Sequence, residues 1–370
     1  MKQLFFICFI CCVQVTASQS YQKIHKKAIL VDSHNDILTQ TMEKGLVFDQ
    51  DLKGKSHSDL VRWEQGGLDV QLFSVWCDGN KQNPFAFANR QMDTLDAVVA
   101  RNPDKIVEVA NRKAMLKAVH QHKLAAMFGI EGGHMIEDKL DNLNSLYKRG
   151  ARYMTLTWNN STTWATSALE ETTNKNLQHK GLTDFGKQVI KRMNDLGMIV
   201  DISHVGEQTF YDAIAATTKP VIASHSSVYS LCPVFRNLKD DQIKAVAKNG
   251  GVIQVNFYSG FLDSNYEKRS SAFAEAHKVE RDSLLKINPE KYFYQEFLFN
   301  KYPEEVKELR APLALLIQHI EYIINLVGID YVGIGSDFDG IESPPQQLDD
   351  VTTYPLITKA LVEKGYSKKD

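Results

Sequence analysis

The sequence predicts an α/β protein, a (β/α)8 barrel of the TIM type with a helical insertion after its seventh strand. Three observations carry this. Eight short apolar runs rich in β-formers recur along the chain, amphipathic stretches lie between most of them, and one connection, from Tyr258 to Val332, is far longer than the rest. Runs this apolar are covered on both faces, as in a parallel sheet, and eight of them alternating with helices fit a closed barrel. An open doubly wound sheet is the competing architecture.

The runs are residues 28–32, 70–76, 125–130, 153–158, 199–203, 221–224, 252–257 and 332–335. Among the stretches between them, residues 185–196 are closed by Gly197, and residues 240–248 by Asn249 and Gly250. A glycine just past the last periodic residue is a helix stop. The long connection holds about seventy residues, charged and aromatic, including "AEAHKVERDSLLK" and "YFYQEFLFNKYPEEVKELR". It reads as inserted helices, at about 259–311, on the loop side of the barrel, where they would form a wall or lid over a site.

The 370 residues are 43% hydrophobic and 24% charged, with a net charge of −2. That is ordinary globular composition, and the lack of a basic run argues against nucleic acid as a partner. The opening "MKQLFFICFICCVQVTAS" has one lysine, an apolar stretch from Leu4 to Val15 and then small residues. Residues 1–18 therefore read as a secretory signal peptide, cleaved near Ala17 or Ser18, and 19–370 as one exported domain, periplasmic or secreted. A transmembrane anchor is the competing reading, but the stretch is short for spanning. No small residue precedes Cys11 or Cys12 as a lipidated cysteine needs, and the ending "GYSKKD" shows no lipid-anchor tail, so no stable membrane anchor is expected in the mature chain. Outside the leader only Cys77 and Cys232 remain, which permits one disulfide without requiring it.

The residues that are costly to bury stand at the ends of the runs. The first ends "VDSHNDIL". In a strand, residues i and i+2 share a face, so His34 and Asp36 would project together just past the strand, at the end of a barrel where active sites sit. The third ends "MFGIEGGH", with Glu131 before two glycines; the fifth ends "IVDISHVG", with His204; the sixth is "VIASHSS", with His225. The eighth ends "VGIGSDFDG", with Asp337 and Asp339 sharing a face. Taken singly, each is ordinary as a capped turn, a loop carboxylate or a satisfied core histidine. Together they supply three histidines and at least three carboxylates at one end of the barrel, and burying them unpaired would cost several kcal/mol each. A divalent cation removes that cost. Imidazole and carboxylate without thiolate suit zinc, with manganese, iron or cobalt as alternatives. The donor set suits two ions with a glutamate between them, a pair that would lower the pKa of a bridging water and polarise a carbonyl oxygen.

From about Lys26 onward, "VDSHNDIL", "GGLDVQLFSVW", "GIEGG", "RYMTLTWNNSTTWA", "GLTDFGKQVIKRMNDLGMIVDISH", "SHSSVYSLCPVFRN", "QVNFY" and "GIGSDFDG" follow in an order that resembles the membrane dipeptidase (renal dipeptidase) family, zinc peptidases on an amidohydrolase-type barrel. The resemblance implies two Zn2+ per chain and hydrolysis of dipeptides, including ones with a C-terminal D-residue, by a metal-bridging hydroxide. It implies that His34 and Asp36 hold the first zinc, that His204 and His225 hold the second, and that Glu131 bridges both. It makes Asp337 the catalytic acid/base and Arg236 the partner of the substrate's terminal carboxylate, with Tyr258 as a further pocket residue.

Two departures from the family pattern stand out. Where the family usually reads "TLTH", this chain reads "TLTW", so Trp158 replaces a substrate-binding histidine; Trp158 either lines the pocket or packs into the barrel wall while a neighbour such as Asn159 supplies the lost bond. Where animal members carry a cysteine bonded to one near Cys77, this chain has Asn160. The ending is also shorter than the family pattern and reads as truncated. A related amidohydrolase acting on a lactam, lactone or N-acyl amino acid is the rival function, kept alive by Trp158, and a non-catalytic metal-binding protein is a third. Whether the chain forms a homodimer is left open.

Overall fold

A computed structural model describes residues 21–289 and 291–370. The signal peptide expected at residues 1–18 lies outside the described residues.

Eight parallel strands close on themselves. They are β1 (Val31–Asn35), β2 (Val70–Trp76), β4 (Leu124–Glu131), β5 (Ala151–Thr155), β6 (Ile199–Asp201), β7 (Ile222–Ala223), β8 (Val252–Val255) and β9 (Val332–Ile334), with β3 (Ile106–Glu108) as an addition between β2 and β4 in sequence. Each barrel strand pairs with the next, β2 pairs directly with β4, and β9 returns to β1, which completes the ring. The (β/α)8 barrel expected from the apolar runs is the fold. Buried aliphatic and aromatic residues such as Phe73, Val75, Ile130, Met154 and Ile253 join strands and outer helices in one large core.

Three details differ from the pattern reading. The short β3 had no signal, because three residues are too few for periodicity; it pairs with the first half of β4, beside which β5 has not yet begun. The first strand runs from Val31 to Asn35 rather than over 28–32, because residues 26–28 still form the turn and bend that follow the opening helix; the Asp69 carboxylate accepts from the Leu30 N–H at 2.8 Å just before the strand. His34 is thus inside the strand and Asp36 just beyond it. Finally, β5 and β8 stop at Thr155 and Val255, short of the expected 158 and 257, so Trp158 stands on a loop rather than on a strand.

The helices follow their expected caps. Asp184–Leu196 starts with the Thr183 hydroxyl accepting from Gly186 N–H and ends at Gly197 with φ 78°; Asp240–Asn249 ends at Gly250 with φ 79°. Between β8 and β9, among the described residues, five helices from Ser259–Leu262 to Pro303–Leu309 precede the ring helix Leu313–Val327. They enclose a second core of Tyr266, Phe273, Leu284, Leu298, Phe299, Val306 and Leu309. Lys44, after β1, pairs with Glu296 of this insertion and ties it to the loop side of the barrel. No helix among the described residues is long and apolar enough to cross a membrane.

Candidate active site

The ends of β1, β4, β6, β7 and β9 bring His34, Asp36, Glu131, His204, His225 and Asp337 together. Glu131, the last residue of β4, is the centre. Its Oε2 lies 3.3 Å from His34 Nε2, while its Oε1 lies 2.9 Å from His204 Nε2 and 3.4 Å from His225 Nε2. Asp36 Oδ2 is 3.4 Å and Asp337 Oδ1 3.9 Å from the same His34 nitrogen. His34, Glu131 and His225 form one group able to hold a cation, and His34, Asp36 and Asp337 another.

Each imidazole is turned so that Nε2 faces inward. Tyr153 donates its hydroxyl proton to Ser33 O at 3.1 Å and accepts from His34 Nδ1 at 2.9 Å. Gly129 makes this possible, because a Cβ there would lie 1.9 Å from the Tyr153 ring. Asn159 Oδ1 accepts from His204 Nδ1 at 3.1 Å. Ser224 donates to Asp201 Oδ2 at 2.6 Å and so accepts from His225 Nδ1 at 2.8 Å. With all three protons held on Nδ1, three Nε2 lone pairs converge on a carboxylate, an arrangement that asks for a cation. Buried His34 Nε2 and Asp36 Oδ1 have no hydrogen-bond partner. These residues fit a metal centre with nitrogen and oxygen ligands.

In the protein itself a proton on His34 answers the same demand for positive charge. Burial disfavours charge on His34, but Tyr153, Glu131 and Asp36 outweigh it and raise its pKa well above the usual value. Burial, with Arg236 adding to it, lowers His204 to about 4; burial and His34 hold His225 well below the usual range. Burial would raise Glu131, yet His34 and the three histidine contacts bring it well below the usual carboxylate value. Asp337 goes the other way: burial, helped by Asp36 and Glu131, raises it well above that value. Asn256 Nδ2 donates to Asp337 Oδ2 at 2.8 Å and leaves Oδ1 towards His34.

The loops after β6 and β9 are shaped for this. His204, Asp337 and Asp339 have φ of 63°, 61° and 67°, left-handed values that cost non-glycine residues of order 1–3 kcal/mol each. At Gly340 a Cβ would stand 2.2 Å from Asp36 Oδ2, so only glycine lets this turn approach the cluster. Because the chain has left the strand, alternation no longer holds, and Asp339 does not share the face of Asp337. It accepts from His57 N–H at 2.6 Å and from the Ser58 hydroxyl.

Arg236, in the loop after β7, is 5% exposed, and its Nη1 is buried without a partner. Burial lowers its pKa to about 10, which leaves it charged near neutrality. The Phe261 ring lies 5.2 Å from the guanidinium carbon. Arg236, Tyr258, Phe261 and His204 line a cavity of about 730 Å³, to which Glu267 and Lys291 of the insertion also contribute. Trp158 is half-buried, 6.3 Å from the His204 ring and 5.0 Å from Trp76. The side-chain oxygen of Asn159 is taken by His204 and its backbone oxygen by the Ser167 hydroxyl. Asn160 lies against Gly79, where a Cβ would come 2.3 Å from its side chain. Cys77 and Cys232 are both free and buried, and burial pushes their thiols up to about 12 and about 11.

Residues invisible as functional in the sequence are Tyr153, Asp201, Ser224 and Asn256, which orient the inner groups; Asn159, weighed there only as a stand-in for the family's histidine, orients His204. Asp32, a fully buried carboxylate inside β1, is answered by Ser336 N–H at 2.8 Å, the Ser336 hydroxyl at 2.6 Å and the Tyr354 hydroxyl at 2.6 Å.

Residues 18–370 match the membrane dipeptidase family, peptidase family M19. The chain is 33% identical over 367 residues to an uncharacterized dipeptidase of Schizosaccharomyces pombe, covering 94% of this chain and 78% of that one. In structure it is similar to the probable dipeptidase PvdM from Pseudomonas aeruginosa, with TM-score 0.77 and 24% identity over 96% of this chain and 94% of that one. It is also similar to a metallo peptidase from Rhodobacter sphaeroides solved with a phosphinate mimic of the dipeptide L-Ala-D-Ala, with TM-score 0.73 and 20% identity over 92% and 93% of the two chains. At these identities the two structures bear on the fold alone.

Proposed function

This chain belongs to the membrane dipeptidase family of metallopeptidases, and from that premise we propose that it hydrolyses dipeptides at a centre of two zinc ions. The observation that carries the proposal is the division of Glu131, one oxygen towards His34 and the other towards His204 and His225. His34 and Asp36 would hold one ion, His204 and His225 the other, and Glu131 both. When bound, the ions supply an activated water near neutral pH and polarise the scissile carbonyl.

The protein's own groups do the rest. Arg236 has an unused buried N–H face and, among the described residues, no ion pair, so it receives the substrate's terminal carboxylate; a guanidinium fork matches that geometry. Asp337 Oδ1 takes the proton released as water adds to the carbonyl carbon and returns it to the leaving nitrogen when the C–N bond breaks. Asn256 holds the other oxygen and so aims the proton-carrying one. Tyr258 and Phe261 close the Arg236 side, and the insertion roofs it through Lys291 and Glu267, paired at 2.7 Å. Dipeptides with a D-residue at the C-terminal side fall within the proposal, as the ligand of the Rhodobacter sphaeroides peptidase suggests. The proposal also includes export, supported by the apolar stretch from Leu4 to Val15; amino-terminal sequencing of exported protein beginning near residue 19 tests it, and an intact Met1 there would overturn it.

A panel of dipeptides with L and D residues at each position, run with zinc added and with chelator, tests the activity. Hydrolysis that zinc supports and chelator abolishes is expected. Zinc-loaded protein that cleaves no dipeptide but opens a lactam or lactone, or cleaves an N-acyl amino acid, would move the assignment to the rival amidohydrolase.

A further inference from the structure

Trp76 and Trp158 stand at the same end of the barrel as the Glu131 cluster, where the catalytic reading gives them no task. Trp76 is the last residue of β2 and is paired in register with Glu131. Trp158 follows β5, two strands further round the ring. Their rings meet edge to face at 5.0 Å, and Trp158 also reaches the His204 ring at 6.3 Å. Both are half-buried, and the Trp76 indole N–H is buried without an acceptor. Gly132, with φ 106°, has no side chain to separate Trp158 from the end of β4: a Cβ there would lie 3.4 Å from the Trp158 Cβ.

The barrel order gives this corner a direction. β2, β4 and β5 are consecutive in the ring, and Arg236 and Tyr258 follow β7 and β8 on the far side, with the Glu131 cluster between. A dipeptide whose carboxylate sits on Arg236 and whose peptide carbonyl lies at the cluster must extend its N-terminal residue away from Arg236. That path leads to the two indoles. We propose that Trp76 and Trp158 form the subsite for the substrate's N-terminal side chain and select aromatic or large aliphatic residues there; this rests on the dipeptide reading above. Two indoles edge to face offer an apolar wall, and an aromatic side chain gains from ring contact in addition to burial.

The test compares kcat/KM for Phe-Ala, Ala-Phe and Ala-Ala on zinc-loaded wild type, Trp76→Ala, Trp158→Ala and Trp158→Phe. Wild type should favour Phe-Ala over Ala-Ala by roughly 10-fold or more, the discrimination a hydrophobic pocket provides. That ratio should fall towards one in both alanine variants and persist in Trp158→Phe, while the Ala-Phe to Ala-Ala ratio is kept. A wild-type ratio near one, or equal loss of both ratios, would overturn the subsite. Trp63 and Trp164, the other two tryptophans, are 1% and 0% exposed, so a change in indole emission on adding dipeptide reports the proposed pair. This separates the two ideas if no dipeptide is cleaved or an alanine variant fails to fold: the dipeptidase reading then stands or falls on turnover, whereas wild-type emission responding to Phe-Ala at lower concentration than to Ala-Phe supports the subsite, and equal or absent responses reject it.

Discussion

The Nε2 atoms of His204 and His225 lie 3.0 Å apart, and each ring has its proton committed elsewhere, to Asn159 and to Ser224. Two lone pairs face each other, with Glu131 Oε1 2.9 Å from one and 3.4 Å from the other. Glu131→Gln should keep the fold and lose at least one of two bound ions, because an amide replaces one carboxylate oxygen with a donor. Metal analysis of the purified variant checks this, and two tightly held ions would remove the bridging role.

Asp337→Asn should retain both ions and lose most turnover. General acid–base groups contribute about 10²–10⁴-fold, and an amide cannot carry the proton. Metal content and kcat are to be measured on the same preparation. Loss of metal together with activity would make Asp337 a ligand instead.

Arg236 should impose a free carboxylate on the substrate. Dipeptide amides should react roughly 10–100-fold more slowly than the dipeptides, the worth of a charge-assisted hydrogen bond. In Arg236→Gln that preference should vanish. Equal rates on both substrates in the wild type would take the arginine out of substrate binding.

His319 should make stability fall in acid. It is fully buried; Nδ1 accepts from Val228 N–H at 3.0 Å and Nε2 donates to Leu262 O at 3.0 Å, so the ring joins the loop after β7 to the insertion only while neutral. Burial, opposed by the Leu262 carbonyl, lowers its pKa from 6.5 to about 4. The unfolded chain therefore binds a proton that the folded one refuses in this window. Stability is full above pH 6.5 and declines towards pH 4, by about 3 kcal/mol. Melting of zinc-saturated protein from pH 7 to pH 4.5 should show a shallower decline in His319→Gln than in wild type. Parallel curves would assign the acid sensitivity to other groups.

Much of this protein is written locally. An apolar run ending in a histidine or carboxylate is a short-range signal, and His34, Asp36, Glu131, His204, His225 and Asp337 were all legible from it, because a closed parallel barrel sends every C-terminal strand end to the same rim. The barrel and the inserted helices follow from the same local patterns and one long connection. What the sequence could not determine depends on partners far away along the chain. Gly129 admits the Tyr153 ring, which then reaches His34 across 119 residues. Asp337 and Asp339 part because left-handed backbone ends the strand alternation, and one meets Asn256 while the other meets His57. Cys77 and Cys232 stay apart, and Trp158 finds Trp76. Residue spacing decides which groups reach the rim; the packing of loops from different strands decides which way each of them points.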